Sequence, residues 1–269
     1  MDIEYHELLD ACSSIEFELT DNEIRIIEED TRKQAKNRNF FRHRAGMIVA
    51  SISYQASHTN PAQPSISITK TICYPDVFNF SNDANEHGCK HEDTAISAYE
   101  QVTMNKHVNF KINKYGTSSI SNLPGYMQAQ IFCVVAIAVA RVVGRWNAFT
   151  VWKTTFEDYV KFKSSCLTEV NGGTSLKRDH PYYYQVQQQL FTTELKYCDF
   201  VVCSVKENIQ IFHERIRPSI EHWNSVLPKL NRFWIYCVLP EVLGRWNTQK
   251  RHILKIKKMI PLDTRAYHT

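Results

Sequence analysis

Residues 128–155 read QAQIFCVVAIAVARVVGRWNAFTVWKTT, and their chemistry differs from that of the chain around them. No Asp or Glu occurs anywhere between Glu100 and Glu157. A chain of average acidity would place about six carboxylates in such a gap. The apolar run Ile131 to Ala140 is too short to span a bilayer, which takes roughly 20 apolar residues. Two readings remain: a buried core segment, or a segment that does not belong where it stands.

Working outward, 269 residues with 43% hydrophobic content suggest one large domain or two small ones with a sizeable core. The start, MDIEYHELLD, is acidic and lacks the apolar run of a secretion signal. The eight cysteines contain no CxxC pair. That pattern fits reduced thiols in an intracellular protein, with the nucleus a compatible compartment, better than a disulfide framework or zinc site. No feature points to a membrane.

The net charge of +4 conceals an uneven distribution. Between Asp30 and Asp76 no acid occurs, while Arg32, Lys33, Lys36, Arg38, Arg42, Arg44 and Lys70 do. The stretch from Glu241 to Asp263 likewise holds Arg245, Lys250, Arg251, Lys255, Lys257 and Lys258 without an acid between. Clustered positive charge attracts polyanions, and phosphate neutralisation supplies most non-specific nucleic-acid affinity. A solvated basic helix and tail account equally well for the charge alone.

Thr20-Asp-Asn-Glu23 is a capping box, and Ile24, Ile27 and Ala35 follow at about helical spacing. Asn60-Pro61 and Pro64 mark a loop. A second helix is expected from Asn82 or Asp83, with Gly88, Glu92, Ala95, Tyr99 and Val102 on one face. Glu92 is thus a carboxylate beside a core-facing stripe, where it needs an Arg or Lys, a hydrogen-bond donor or a metal. Val108 to Ile112 alternates and reads as a strand. His180 to Thr192 reads as a helix with Pro181 in its first turn. Tyr182 and Gln185 lie three apart on one of its faces and Gln189 continues that face, which is also an ordinary aromatic packing pattern. Cys198 to Val205 and Ile209 to Ile216 read as strands, and the remainder as helices broken at Pro228 and Pro240. Both Gly144 to Asn147 and Gly244 to Asn247 read GRWN, with nothing shared around them, so no repeat is inferred.

Three stretches, RAGMIVAS (Arg44 to Ser51), GCKHEDTAISAYE (Gly88 to Glu100) and HPYYYQVQQQL followed by CDFVV, resemble the YqaJ-type viral recombinase nucleases. These are similar to the phage lambda-type exonucleases of the restriction-endonuclease-like superfamily. The resemblance runs from about Glu23 to Arg245. It implies an α/β fold: a restriction-endonuclease-like core with a central mixed sheet flanked by helices, an N-terminal helix and a helical C-terminal extension. The corresponding division is a helical lead-in at 1–40, a nuclease domain at 41–245 and a basic tail at 246–269. It further implies a Mg²⁺- or Mn²⁺-dependent exodeoxyribonuclease acting at duplex DNA ends, and homo-oligomers, since lambda-type relatives can form rings. Arg44 and Ser51 would hold the 5′ phosphate, Glu92 would help place the metal, and Tyr182 and Gln185 would close the site. Guanidinium and hydroxyl groups suit phosphate oxygens, and carboxylates suit a hard cation. Val49 departs from the family's usual Thr.

The family's remaining metal ligands, the Asp of Gly-Ala-Ser-Pro-Asp and the Glu of Glu-x-Lys, belong where residues 128–155 stand, and neither motif is present there. Back-translation in the frame that takes one base from each residue and two from the next forces Ala from Met127–Gln128. The following codons permit Ser, Pro, Asp and Phe, and Phe132–Cys133 forces Leu. The same frame permits a Cys-rich turn from Cys133 to Arg141, then Glu-Val-Glu-Cys near Trp146–Asn147. Glu there takes the place of the family's Lys. The flanks, Pro124 to Met127 and Phe156 to Tyr159, fit the family as written. We therefore read residues 128–155 as the metal site translated in a shifted frame. The chain as written is expected to lack turnover, and a catalytically dead DNA-end-binding protein is the alternative to an exonuclease.

Overall fold

A computed structural model describes residues 5–13, 20–31, 38–78, 96–102, 117–118, 127–130, 137–139, 156–204 and 210–248. Three short helices open the chain: α1 (Tyr5–Ser13), α2 (Asp21–Thr31) and α3 (Arg38–Arg44). The capping box forms at α2. Glu23 N donates to Thr20 Oγ1 at 3.3 Å, and Thr20 N donates to Glu23 Oε2 at 2.8 Å. Asp30 of α2 accepts from Asn39 Nδ2 and meets His43 Nε2, each at 3.4 Å, which ties α2 to α3.

Next come β1 (Ile48–Val49), a 3₁₀ turn (Ala50–Ile52), α4 (Ser53–His58) and α5 (Ile66–Cys73). The loop expected at Asn60-Pro61 separates α4 from α5, with Asn60 Oδ1 accepting from Ala62 N at 2.9 Å. Residues 96–102 are helical (α6), the C-terminal part of the helix expected from residue 82 onward. The rest of that helix, including Glu92, and the expected strand at 108–112 lie outside the described residues.

Among the described residues the strands fall into three small sheets. In the first, β3 (Met127–Gln130) pairs parallel with β1 and antiparallel with β2 (Thr117–Ser118). In the second, β7 (Cys198–Ser204) pairs parallel with β4 (Ile137–Val139) and antiparallel with β8 (Gln210–Ile216). The hairpin of β5 (Leu167–Val170) and β6 (Gly173–Leu176) makes the third, after α7 (Phe156–Lys161). Pairing is therefore mixed, as expected, but divided among sheets. Both β3 and β4 draw on residues 128–155, so this stretch supplies strand in two of the three sheets.

Helix α8 (Pro181–Thr193) joins two apolar clusters. Val186 and Leu190 pack with Tyr159, Leu167, Leu176 and Phe200. Tyr184 and Phe191 face the other cluster, built on Ile48, Trp223, Leu230, Phe233 and Val238. Each fully buried large apolar side chain stabilises the fold by about 1.5–3 kcal/mol.

The C-terminal helices depart from the sequence expectation. Helix α9 (Ile220–Phe233) runs through Pro228 without breaking. Proline removes one intrahelical donor, but Asn224, whose carbonyl loses it, is exposed, so water can take that place. The irregularity falls instead at a π turn, Trp234–Val238, just before α10 (Leu239–Gly244). The second GRWN closes this end. Arg245 adopts a left-handed φ of 51°, Trp246 stacks on Tyr5 at 4.9 Å, and Asn247 Nδ2 donates to Cys237 O at 2.7 Å. Buried Glu241 accepts from Tyr74 Oη at 2.6 Å, Asn247 N at 2.7 Å and Thr248 Oγ1 at 2.6 Å. Among the described residues no helix is long and apolar enough to cross a membrane.

Candidate functional site

Arg44 ends α3, and the chain must turn sharply there to enter β1. Gly46 makes the turn at a φ of +78°, and a Cβ in its place would meet Val242 Cγ2 at 3.2 Å. Gly46 N donates to Ile72 O at 2.9 Å, and its carbonyl accepts from Trp234 Nε1 at 2.9 Å. The backbone on which Arg44 sits is thus fixed from two sides. Its guanidinium carbon lies 4.7 Å from the centre of the Phe40 ring. Arg44 Nε is buried without a hydrogen-bond partner. Burial brings the pKa down from its usual value to about 10. No carboxylate among the described residues offsets that burial.

Four residues past Gly46, the 3₁₀ turn presents Ser51 to solvent, while Ser53 is buried with its Oγ unpartnered. Helix α8 packs against this turn, α4 and β3. Its position follows from its own sequence. His180 caps it, accepting from Tyr182 N through Nδ1 at 3.2 Å, and Pro181 fills the first turn. An accepting imidazole nitrogen must be unprotonated. Burial, with Lys177 nearby, lowers the His180 pKa to about 4, so the cap holds at neutral pH.

Two glutamines then rivet the helix. Gln188 Nε2 donates to Ile48 O on β1 at 2.7 Å. Gln187 donates to Arg217 O at 3.0 Å and accepts from Ser219 N at 2.8 Å. The Gln187 amide is met at both ends, which matters because an unmet buried amide group costs about 1–3 kcal/mol.

The structure brings the turn that holds Ser51 against the helix that holds Tyr182 and Gln185. Arg44 stands at the entrance to the adjoining strand. Tyr182 and Gln185 are half-buried, and the Tyr182 ring lies 6.0 Å from that of Phe200. Glu92 is outside the described residues. The rest of its expected helix, α6, is pinned by Tyr99 Oη, which donates to Asp199 Oδ2 at 2.6 Å. Sequence reasoning missed Ser53, the His180 cap and the Gln188 rivet. The run Gln187-Gln-Gln189 was the available signal, since it sits between the apolar Val186 and Leu190 and three consecutive helical positions sweep about 200° of the helix.

Asp199 is the buried carboxylate of β7, and its donors are already in place. Arg215 supplies Nε at 2.7 Å and Nη2 at 2.8 Å, and Tyr99 the third bond. Burial alone would raise its pKa; the Arg215 and Tyr99 bonds outweigh that and hold it below the usual range. It is not poised as a ligand. Among the described residues no three His, Cys, Asp or Glu converge, so they do not by themselves fit a hard divalent cation.

No protein-family model matches the chain, and no curated protein matches it. Solved structures do. An alkaline exonuclease, LHK-Exo, from Laribacter hongkongensis is similar at 19% identity and a TM-score of 0.48, over 80% of this chain and 97% of that one. LHK-Exo in complex with dAMP is similar at 18% identity and a TM-score of 0.47, over the same shares.

Proposed function

We propose that the chain is a protein of DNA-exonuclease type that binds DNA ends and, as written, does not hydrolyse them. The observation that carries the reading is the Arg44 guanidinium, half-buried on a fixed backbone with no anion against it among the described residues. A cation taken out of water without a counter-charge is costly unless something neutralises it. A phosphate would do so, with the exposed Ser51 hydroxyl and the unpartnered Ser53 Oγ as further donors. The acid-free stretch from Asp30 to Asp76 supports an anionic partner. In this reading Arg44 and Ser51 take the terminal phosphate, and Tyr182 and Gln185 close the site on the strand.

Hydrolysis by this class needs a Mg²⁺ or Mn²⁺ ion to activate water and neutralise the displaced oxygen. Glu92 is the one carboxylate that the resemblance assigns to that ion, and one carboxylate does not hold it. Residues 128–155 are the remainder of the metal site in a shifted frame. The restored frame would encode an active relative, and the transcript decides between them. An unshifted message encoding VVAIAVARVV would remove the frame-shift reading.

The test of end binding compares duplexes with and without a 5′ phosphate, by fluorescence anisotropy on the full chain. The phosphorylated end should bind at least tenfold more tightly, with affinity falling steeply with salt. Arg44→Met should abolish the preference. Equal affinities, or a salt-insensitive signal, would remove the reading. Mg²⁺-dependent digestion of linear duplex, abolished by Glu92→Ala, would overturn the claim of inactivity.

A further inference from the structure

Beside the proposed phosphate contacts, a ladder of rings runs from the surface inward. The His58 ring stacks on Tyr54 at 4.1 Å and 27°. Tyr184 of α8 stands edge-on to both, at 5.0 Å from Tyr54 and 5.4 Å from His58. His222 of α9 closes the inner end, 4.5 Å from Tyr184 and 4.9 Å from Tyr183. The ladder is rigid at its outer end. His58 Nδ1 lies 2.8 Å from Tyr54 O, an atom that only accepts, so Nδ1 carries the proton and Nε2 is left as an acceptor. The Gln188–Ile48 bond fixes α8, and with it Tyr184, against this edge.

The inner rungs are ordinary packing; the outer one is not. His58 is exposed, and one face of its imidazole is covered by Tyr54. Ser51, Tyr54 and His58 are spaced by three and four residues, so they fall on one side of the continuous turn and helix. That side carries the hydroxyl assigned above to a terminal phosphate. Lys229 lies near His222 and Asp179 near Tyr184, while Arg178, 4.9 Å above the Tyr183 ring, is paired with Glu214 at 2.6 Å, so the flanking charges balance and the platform rests on its rings. A flat ring held rigidly, partly open and one helical turn from a phosphate contact matches how single strands are held, with bases stacked on aromatic faces along a backbone groove.

We propose that His58, Tyr54 and Tyr184 form a stacking platform for unpaired bases of a single-stranded DNA end. The platform rests on the DNA-end reading and adds to it a preference for ends that carry a single-stranded extension. His58 offers its open face to the first unpaired base, and its Nε2 can accept from an exocyclic amine. Tyr54 and Tyr184 hold the imidazole in place.

The test uses the full chain and three labelled duplexes of equal length: blunt, with a short adenine extension, and with an extension of abasic units. The last keeps the phosphates and removes the bases. The adenine extension should bind about tenfold more tightly than the abasic one, the scale of one base on an aromatic ring. His58→Ala should erase that difference and leave blunt-end affinity unchanged. Tyr54→Leu should do the same, with its melting curve showing that it folds. Blunt-end binding with no adenine preference in the wild type, or a preference that survives His58→Ala, would overturn the platform alone. Failure of the wild type to bind any of the three would remove the DNA-end reading and the platform with it.

Discussion

Two arginines of this chain meet opposite treatment. Arg215 on β8 is paired in full: Asp199 takes two of its hydrogen bonds, and its guanidinium carbon lies 4.0 Å from the centre of the Tyr197 ring. Its pKa is raised above the ordinary value, chiefly by the Asp199 bond. Arg44 has a ring beneath it and, among the described residues, no counter-charge, and burial pulls its pKa down. The first arrangement makes the folded state better, because both charges and the Tyr99 hydroxyl are satisfied together. The second makes it worse, and a fold keeps such a group where a ligand completes it. The contrast separates a strut from a proposed site without reference to any relative.

The largest effect expected from this contrast lies on the paired side. Asp199→Ala removes three hydrogen bonds at a buried position and unpins α6 from β7. Breaking a buried pair costs about 3–5 kcal/mol. Arg215 is partly exposed and can regain water, so the lower end, about 3 kcal/mol, is expected. Urea unfolding measures it. A loss under 1 kcal/mol would mean that the Asp199 cluster is not the strut described.

How much of this was legible in the sequence depends on whether a signal was local. The capping box at Thr20 and Glu23, the α8 helix opening on His180-Pro181 and the strands at 198–204 and 210–216 all follow from neighbours in the chain, and all were readable. The break assigned to Pro228 was not real, because its cost depends on whether water reaches Asn224, which no pattern displays. Helix α4 and the β5–β6 hairpin were missed. Their six and four-plus-four residues are too short for periodicity to declare. Of the site, Arg44, Ser51, Tyr182 and Gln185 were named from the family resemblance. That α8 lies against the Ser51 turn depends on the Gln188–Ile48 bond, a contact across 140 positions of sequence. Asp199 gave no sign of its partners for the same reason.

Acid should separate the two regions. On the site side, α8 is held by neutral groups, with His180 as cap. Its folded pKa of about 4 lies below the unfolded value near 6.5, so the unfolded chain binds the proton first. The cap's contribution is therefore complete above about pH 6.5 and lost as pH falls toward 4. His222, also lowered by burial, acts in the same direction. Asp199 is depressed as a carboxylate, so its contribution survives that range and goes only below its unfolded value near 4. An N-cap is worth about 1 kcal/mol. His180→Asn, whose side chain caps at any pH, should flatten stability between pH 6.5 and 4 by about that amount. An unchanged slope would show that His180 does not carry the effect.

The smallest change in stability is expected where the charge is least served. Arg44→Met keeps the stem that packs on Phe40 and deletes a cation whose burial no carboxylate among the described residues repays. It loses a cation–π contact of about 0.5–2 kcal/mol and recovers a desolvation cost of similar size. The net change in urea unfolding should fall within about 1 kcal/mol of zero, on either side. The same substitution is expected to abolish preference for a phosphorylated end. A residue that can be removed at no cost to the fold but at the cost of a ligand belongs to function. Arg215→Met should behave in the opposite way, destabilising the fold by leaving Asp199 charged and buried and shifting end preference little. If Arg44→Met instead destabilises as much as Arg215→Met, the two arginines are both struts, and the proposed site loses the observation on which it stands.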